Sequence, residues 1–520
     1  MAVKINFNEA AAKTHTALII NERAMNRSLL RLSTGYRILS AADDSAGLFI
    51  ADMLGTVAAA LEQGNRNIQT GISALQIAET NAGQIYTKLQ EIYVRAQNAA
   101  NDINDPNARQ ALQNEINNFI DAIQKIATDT EYNGIKLLNG NFQDKSIHYG
   151  ARKDQVITIN ISSVKATDLG AYIVNGNGAV TSDTGAITSL TGGTSNFYVD
   201  SGDYLKVYGQ TVLGIGTSYT TGLVDAATVA SNINNNSDLQ EAGIEATAAN
   251  SSTGKTFTEI VSTTGSVSSI NLKFFIGNAQ SGTETFSITG ISNSITLQDL
   301  VNKINSAASA HDAAVTASAE NGKLVLETTN GETIGIQVEV TMSATGASFT
   351  VNLDQLIQDA SSQTFAASAS SGTAYVVKVG TLQIAGVDTY SISYAGISAT
   401  DGGLNLNVSS GDYATFNNLN AIDVTTKSGA ETAILIAKKA LQKVDTVRAQ
   451  IGATMNNLQS IYDAQKSAYD NTKEAESVIR NTDYAKEMSE FTSYQIRMQA
   501  TIAMLAQANT LPQLVLQLLR

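Results

Sequence analysis

The 520-residue chain has no cysteine, no tryptophan, two prolines and three histidines. Without cysteine there is no disulfide, no thiolate metal site and no cysteine nucleophile. His15, His148 and His311 lie far apart, so no HExxH pair exists and a histidine-ligated metal would need three distant segments. Basic residues are few: 33 Lys+Arg against 47 Asp+Glu leave a net charge of -14. That balance argues against nucleic acid and against an anionic membrane surface as partners. Near the N-terminus the longest apolar stretch, Ala17 to Ile20, is stopped by Asn21 and Glu22, too short for a signal peptide. No segment is expected to approach the roughly 20 apolar residues of a membrane span. These absences predict no catalytic, metal or cofactor-binding residues. They also predict a cytoplasmic chain, or one that leaves the cell by a route such signals do not mark.

What is present is length and pattern. A single core rarely grows past roughly 250–300 residues, so more than one domain is expected. No arginine occurs between Arg152 and Arg448, and from about 175 to 425 the only cations are Lys206, Lys255, Lys273, Lys303, Lys323 and Lys378. This middle part is rich in Ser, Thr, Gly, Ala and Asn. Apolar residues alternate in Lys323 to Thr329 and in Ile334 to Val340, with Asn-Gly pairs at 321–322 and 330–331 that read as hairpin turns. Ile233-Asn234 recurs as Ile304-Asn305, 71 residues on, and at that offset Ile244, Ala246, Ala248 and Asn250 match Val315, Ala317, Ala319 and Asn321. Each copy reads as a short helix (Val224 to Asn234; Leu297 to Ala307) followed by a strand and a turn. The second adds a hairpin from Lys323 to Glu339.

The flanks read as helix. Met25, Leu29, Leu32, Tyr36 and Leu39 alternate at spacings of four and three, and Ile85, Leu89, Ile92, Ala96 and Ala99 keep to threes and fours. Ile434, Ala437, Leu441 and Val444 continue the habit, then Ile451, Met455, Leu458 and Tyr462, and finally Met488, Phe491, Gln495, Met498, Ile502 and Leu505. One apolar seam per helix is the coiled-coil pattern. The alternative, an ordinary bundle inside one globule, is disfavoured by length: Ser45 to Ala100 has no proline and could form one helix of roughly 80 Å, which needs a partner along it. Asp43-Asp44-Ser45 offers N-caps, and Pro106 suits the first turn of a next helix carrying Leu112, Ile116, Phe119, Ile120 and Ile123. Asn133-Gly134 then opens a hairpin region with Ile157, Ile159 and Ile161 on one strand face. The fold class expected is α+β: a long coiled-coil core from paired N- and C-terminal segments, with a β-rich central insert forming outer domains.

The flanks resemble the bacterial flagellins. The resemblance rests on Arg31-Leu-Ser-Thr-Gly-Tyr-Arg-Ile, Ala42-Asp-Asp-Ser-Ala-Gly-Leu, Arg66-Asn-Ile-Gln-Thr-Gly-Ile-Ser and Thr130-Glu-Tyr-Asn-Gly-Ile-Lys-Leu-Leu. At the other end it rests on Glu476-Ser-Val-Ile-Arg-Asn-Thr-Asp-Tyr-Ala-Lys-Glu-Met-Ser and on Leu505-Ala-Gln-Ala-Asn-Thr-Leu-Pro-Gln-Leu-Val-Leu-Gln-Leu-Leu-Arg520. It covers roughly 1–170 and 425–520. The resemblance implies a structural subunit, not an enzyme, that polymerises head to tail into the extracellular flagellar filament used for swimming. It implies an inner domain of 1–43 with 475–520, disordered in the monomer, and a helical rod of 44–175 with 425–474. Outer modules would occupy 176–275 and 276–424. The implied partners are further copies of the chain, an export chaperone and the type III export apparatus, and the hook-associated junction and cap proteins.

Seam residues then acquire roles. Leu18, Met25, Leu29, Leu32, Met488, Phe491, Met498, Ile502 and Leu505 are expected to meet neighbouring subunits. Ile85, Leu89, Ile92, Leu441, Val444, Ile451 and Leu458 are expected to hold the rod. Glu22, Glu79, Gln495 and Asn509 interrupt the seams; the two glutamates are expected to turn to solvent. In many flagellins an arginine, a leucine and a glutamate contact Toll-like receptor 5. An ungapped match from Gly71 places Glu91 and Arg95 where the arginine and leucine are expected, and Glu115 keeps the glutamate, so weak or absent recognition is expected. Three other readings accompany this one: a hook-filament junction protein, an adhesive insert, or an enzyme in the insert. For the last, His311 lacks a partner, and Asp203, Asp225 and Asp312 read as scattered surface carboxylates.

Overall fold

In the computed structural model, the described residues are 7–101, 103–182, 199, 202–214, 222–279, 284–343, 346–397 and 403–518. The chain divides into two units, Met1–Thr80 with Glu131–Ser162 and Ala449–Arg520, and Asn81–Thr130 with Ser163–Arg448. Helical N- and C-terminal regions flank a β-rich centre. The helices are α1 (Glu9–Thr34), α2 (Ser45–Ala99), α3 (Pro106–Asp129), α4 (Ala226–Asn234), α5 (Ser237–Glu241), α6 (Leu297–Ala310), α7 (Lys427–Arg480) and α8 (Tyr484–Leu518).

Local chemistry sets their limits. Asn8 caps α1, Asp44 accepts from the Gly47 amide at the start of α2, and Asp105 caps α3 ahead of Pro106. Gly35, at φ 76°, ends α1 in a left-handed cap. Tyr36 and Leu39 therefore lie outside the helix that their spacing predicts. Asn481 interrupts the C-terminal helices at the same level: Tyr36 bridges Asn481, and the Thr482 amide donates to the Gly35 carbonyl.

α2 is one uninterrupted helix of 55 residues. By length and composition it is apolar enough to cross a membrane, which corrects the expectation that no segment comes near. Asp52, Gly55 and Thr56 break any consecutive run, while Leu48 to Ile50, Met53 and Leu54 keep the average apolar. One face is buried along its length, with Ala51, Ala58, Leu61, Ile68 and Leu75 in one unit and Ile85, Leu89 and Ile92 in the other. α2 and α7 run side by side in both: Gln69 donates to the Tyr462 hydroxyl at 2.9 Å, and Arg448 lies 5.7 Å from the Tyr86 ring centroid.

The centre is built twice. In each copy a hairpin leads to a helix, then to a strand, its antiparallel partner, and a strand returning to the hairpin. Asp225 caps α4 through Thr228, and Thr296 caps α6 through Asp299. Asn234 exchanges two hydrogen bonds with the backbone of Ala246, at 2.7 and 2.9 Å, and Asn305 does the same with Ala317, at 2.8 and 2.7 Å. These bonds occupy the outward amide and carbonyl of an edge strand, which explains why Ile-Asn and Ala recur together.

The two copies differ in one connection. In the second, Val315–Glu320 turns through Asn321-Gly322, φ 52° and 75°, directly into Lys323–Thr328. In the first, Glu245–Ala249 pairs in the matching register with Thr381–Gly386, so Ala249 opposite Thr381 corresponds to Glu320 opposite Lys323. Residues 250–380 stand where the other copy has a two-residue turn. The cores reflect this. One gathers Val174 to Ala246 with Val377 to Ala414, plus Phe275, and the other gathers Ile260 to Val376. The modules are nested, where the sequence places them end to end at 275–276.

Asn330-Gly331 is not a hairpin turn. Lys323–Thr328 pairs with Ser251–Thr256, while Ile334–Met342 pairs with Val267–Ile276 and Ser371–Lys378. A Cβ on Gly331 would lie 2.5 Å from Ala248 and Ala249 backbone atoms, so glycine is needed for close passage against another strand. Asp225, expected at the surface, is 1% exposed. Its carboxylate accepts from the Thr333 amide at 2.8 Å as well as from Thr228, joining the modules. Burial pushes this carboxyl above its ordinary value.

Candidate assembly surface

α1 and α8 pair antiparallel. Asn8 donates to the Ala508 carbonyl at 2.9 Å, Asn21 to the Thr501 hydroxyl at 3.1 Å, and Ser28 to the Glu487 carbonyl at 3.3 Å. The Tyr484 hydroxyl donates to the Leu32 carbonyl, and Arg31 lies 3.8 Å from the Glu487 carboxylate. Among the described side chains, the buried set of this pair is small and half polar: Ser28, Leu32, Glu487 and Ala508.

The apolar seam is mostly not inside the pair. Of the expected assembly residues only Leu32 is buried. Leu18, Met25, Phe491, Met498 and Leu505 are half-buried, and Leu29, Met488 and Ile502 are exposed. Ile20, Leu30, Ile496 and Met504 add to the exposed set, the last two at 61%. Glu22, Gln495 and Asn509 are exposed and Glu79 is half-buried. The polar groups that fix this pair are therefore Ser28 and Glu487, which spacing did not single out. Glu487 lies inside the quoted C-terminal motif, which was the only sequence signal pointing at it.

Of the expected rod positions, Ile85, Leu89, Ile92, Val444, Ile451 and Leu458 are buried and Leu441 is half-buried. Gln113 on α3 is a buried residue that the pattern missed. Its side chain donates to the Ile422 carbonyl and accepts from the Val424 amide, replacing a strand partner for that segment. Glu91, Arg95 and Glu115 come together: Arg95 contacts Glu115 at 2.5 Å and Glu91 at 3.4 Å.

Residues 5–143 match the bacterial flagellin N-terminal helical region, and residues 434–519 the bacterial flagellin C-terminal helical region. Over the full length of both chains, the sequence is 49% identical to flagellin of Aquifex aeolicus (strain VF5). The chain belongs to the bacterial flagellin family. It is 48% identical to flagellin of Aquifex pyrophilus, again over the whole of both chains. Among solved structures, FliC from Burkholderia pseudomallei is similar at 15% identity, with 75% of this chain and 99% of that one covered and a TM-score of 0.28.

Membership decides for the filament subunit over the junction protein and the enzyme. The family is structural, not enzymatic, and this chain is a structural subunit of the flagellar filament. Polymerisation into that filament, an extracellular appendage, is the family's property. Asp225 is accordingly a helix cap and a joint between modules, not half of a catalytic pair.

Proposed function

We propose that ordering of the two chain ends and polymerisation are a single step. The observation that carries this is the α1–α8 pair itself. Among the described side chains it buries one large apolar residue, Leu32, and leaves Leu29, Met488, Ile496, Ile502 and Met504 exposed. Fixing a residue's backbone costs roughly 1–2 kcal/mol, and a buried apolar side chain returns about 1.5–3 kcal/mol. An isolated pair with so little interior falls short of its ordering cost, whereas a copy stacked alongside covers the remaining residues. The contact is heterologous, and a rotation that does not close gives an open helix of subunits.

In this reading the ends stay unfolded through the flagellar type III export apparatus, with an export chaperone covering them beforehand. The hook-associated junction and cap proteins meet the same helices at the two limits of the polymer. Removing Leu505 to Arg520 should leave a soluble monomer that seeds do not extend. Hydrogen exchange should find residues 9–34 and 484–518 unprotected in dilute monomer and protected in filaments. A truncated chain that still polymerised, or ends already protected in the monomer, would overturn the proposal.

The Glu91–Arg95–Glu115 cluster supports weak recognition by Toll-like receptor 5. Arg95 engages the Glu115 carboxylate, and Glu91 reverses the charge expected at its position. In a reporter-cell assay the native chain should be nearly inactive. Glu91→Arg with Arg95→Leu should raise the response at least tenfold. A strong native response would be the opposite result.

A further inference from the structure

With no cysteine in the chain, the thioethers of its eight methionines are its only oxidisable sulfur. Their placement is uneven. Met342 is 5% exposed in the core of the second module. Met25 and Met498 are half-buried on the α1–α8 pair, and Met488 and Met504 on α8 are 48% and 61% exposed. Methionine is apolar and adaptable enough to join a packed contact, yet one added oxygen makes it polar. A sulfoxide buried without a hydrogen-bond donor opposes the contact that the thioether supports.

α8 does not present its apolar residues to one side. Met488, Ile496 and Met504 are spaced by eight, and at about 100° per residue each step carries the side chain roughly 80° further round the helix. All three are exposed. A helix that is apolar toward several sides is built to be enclosed, and α1 covers only part of this one. Neighbouring copies supply the rest, with Met488 and Met504, roughly 160° apart, facing different sides.

We propose that Met488 and Met504 form a modification site through which a hydroperoxide controls assembly, which rests on the single-step reading of polymerisation above. The sulfur lone pair takes one oxygen of the peroxide. The S–O bond forms as the O–O bond breaks; the thioether is oxidised by two electrons and hydrogen peroxide is reduced to water. The free subunit exposes both thioethers to the reagent. The sulfoxides must then enter apolar contacts with no donor to meet them, so growth stops. In the filament the same contacts exclude the reagent, and finished polymer resists it.

The test treats full-length monomer and preformed filaments with hydrogen peroxide and reads the gain of oxygen at each methionine by peptide mass spectrometry. In the monomer Met488 and Met504 should oxidise at least tenfold faster than Met342, and in filaments they should slow at least tenfold. Seeded elongation by oxidised monomer should fall at least tenfold and return after treatment with methionine sulfoxide reductases for both epimers. Each rate is taken relative to the same protein untreated. Met488→Leu combined with Met504→Leu should keep most of its own rate after peroxide, although Met53, 52% exposed on α2, is still oxidised. If the oxidised native chain elongates as fast as the untreated one, or the double variant is inhibited as strongly as the native chain, the proposal is wrong. Thioethers equally reactive in monomer and filament would overturn the single-step reading as well, whereas shielded thioethers with unimpaired growth overturn only the role of oxidation.

Discussion

Replacing Glu245 by glutamine should cost roughly 3 kcal/mol, the lower end of the range for breaking a buried ion pair. Glu245 begins the strand Glu245–Ala249 and reaches α7, where its carboxylate lies 2.6 Å from Lys438 and 3.2 Å from Lys439. The Lys439 ammonium also donates to the Gly243 carbonyl at 3.0 Å and is almost wholly buried. Burial raises the Glu245 carboxyl, but the two lysines outweigh it and hold the group below its ordinary value. Burial dominates at Lys439 and lowers its pKa despite Glu245. The two directions are consistent, because Lys439 lies deeper than Glu245 and loses more hydration. Removing the carboxylate leaves a buried cation without its partner, which is the expensive outcome; partial exposure of Glu245 keeps the loss at the low end.

The pH dependence follows from the glutamate. A carboxyl whose folded pKa is depressed contributes stability above its unfolded value and loses it as pH falls through the folded one. The tie between this module and α7 should therefore hold at neutral pH and fail below the ordinary carboxylate range. Gln383 to Thr432 and Lys443 to Asp388 are its neighbours along α7, and only the second carries charge. Hydrogen exchange at residues 244–249 reports the opening. Adding Lys439→Met to Glu245→Gln should recover most of the loss, because no unpaired charge then stays buried. If Glu245→Gln matched the native chain in denaturant and at every pH, the tie would be ornamental.

Gly64→Ala should destabilise by about 1–3 kcal/mol, the range for forcing extra volume into a packed site, against the general rule. An alanine in a helix interior normally gains about 1 kcal/mol over glycine. At Gly64 a Cβ would lie 1.9 Å from the Tyr149 carbonyl oxygen, a backbone atom of the hairpin packed on α2. Asn67, one turn on, donates to the His148 carbonyl at 2.9 Å, so the hairpin cannot retreat without losing that bond as well. Two other glycines of α2 calibrate the result. At Gly71 the near atom is the Cδ1 of Ile147, which can rotate away, and at Gly83 nothing lies within 4 Å. Denaturation of the three alanine variants should rank Gly83 as stabilised, Gly71 as close to native and Gly64 as impaired. Equal gains at all three would show that the hairpin does not sit on α2.

Spacing alone located α2, α3 and α7, because a helix that buries one face must repeat its apolar residues near 3.6 and no distant contact alters that count. The repeat around Ile233-Asn234 was legible for a similar reason: the asparagine closes an edge strand in each copy, so helix and strand keep their residues together. Asn133-Gly134 and Asn321-Gly322 declared turns through backbone conformations that glycine and asparagine adopt without strain.

What the sequence could not carry was which segments meet across long intervals. Asn330-Gly331 has the residues of a hairpin turn, yet close passage against Ala248 sends the chain into a different sheet. The nesting of one module inside the other is invisible in linear order, because the partner of Glu245–Ala249 arrives only at Thr381. Ser28, Gln113, Asp225, Glu487 and Lys439 are buried polar groups whose partners are backbone atoms or side chains far along the chain. Periodicity fixes the direction in which a side chain points relative to its own helix. Only the packed structure decides what waits there, since the energy of a buried polar group depends wholly on the partner it finds.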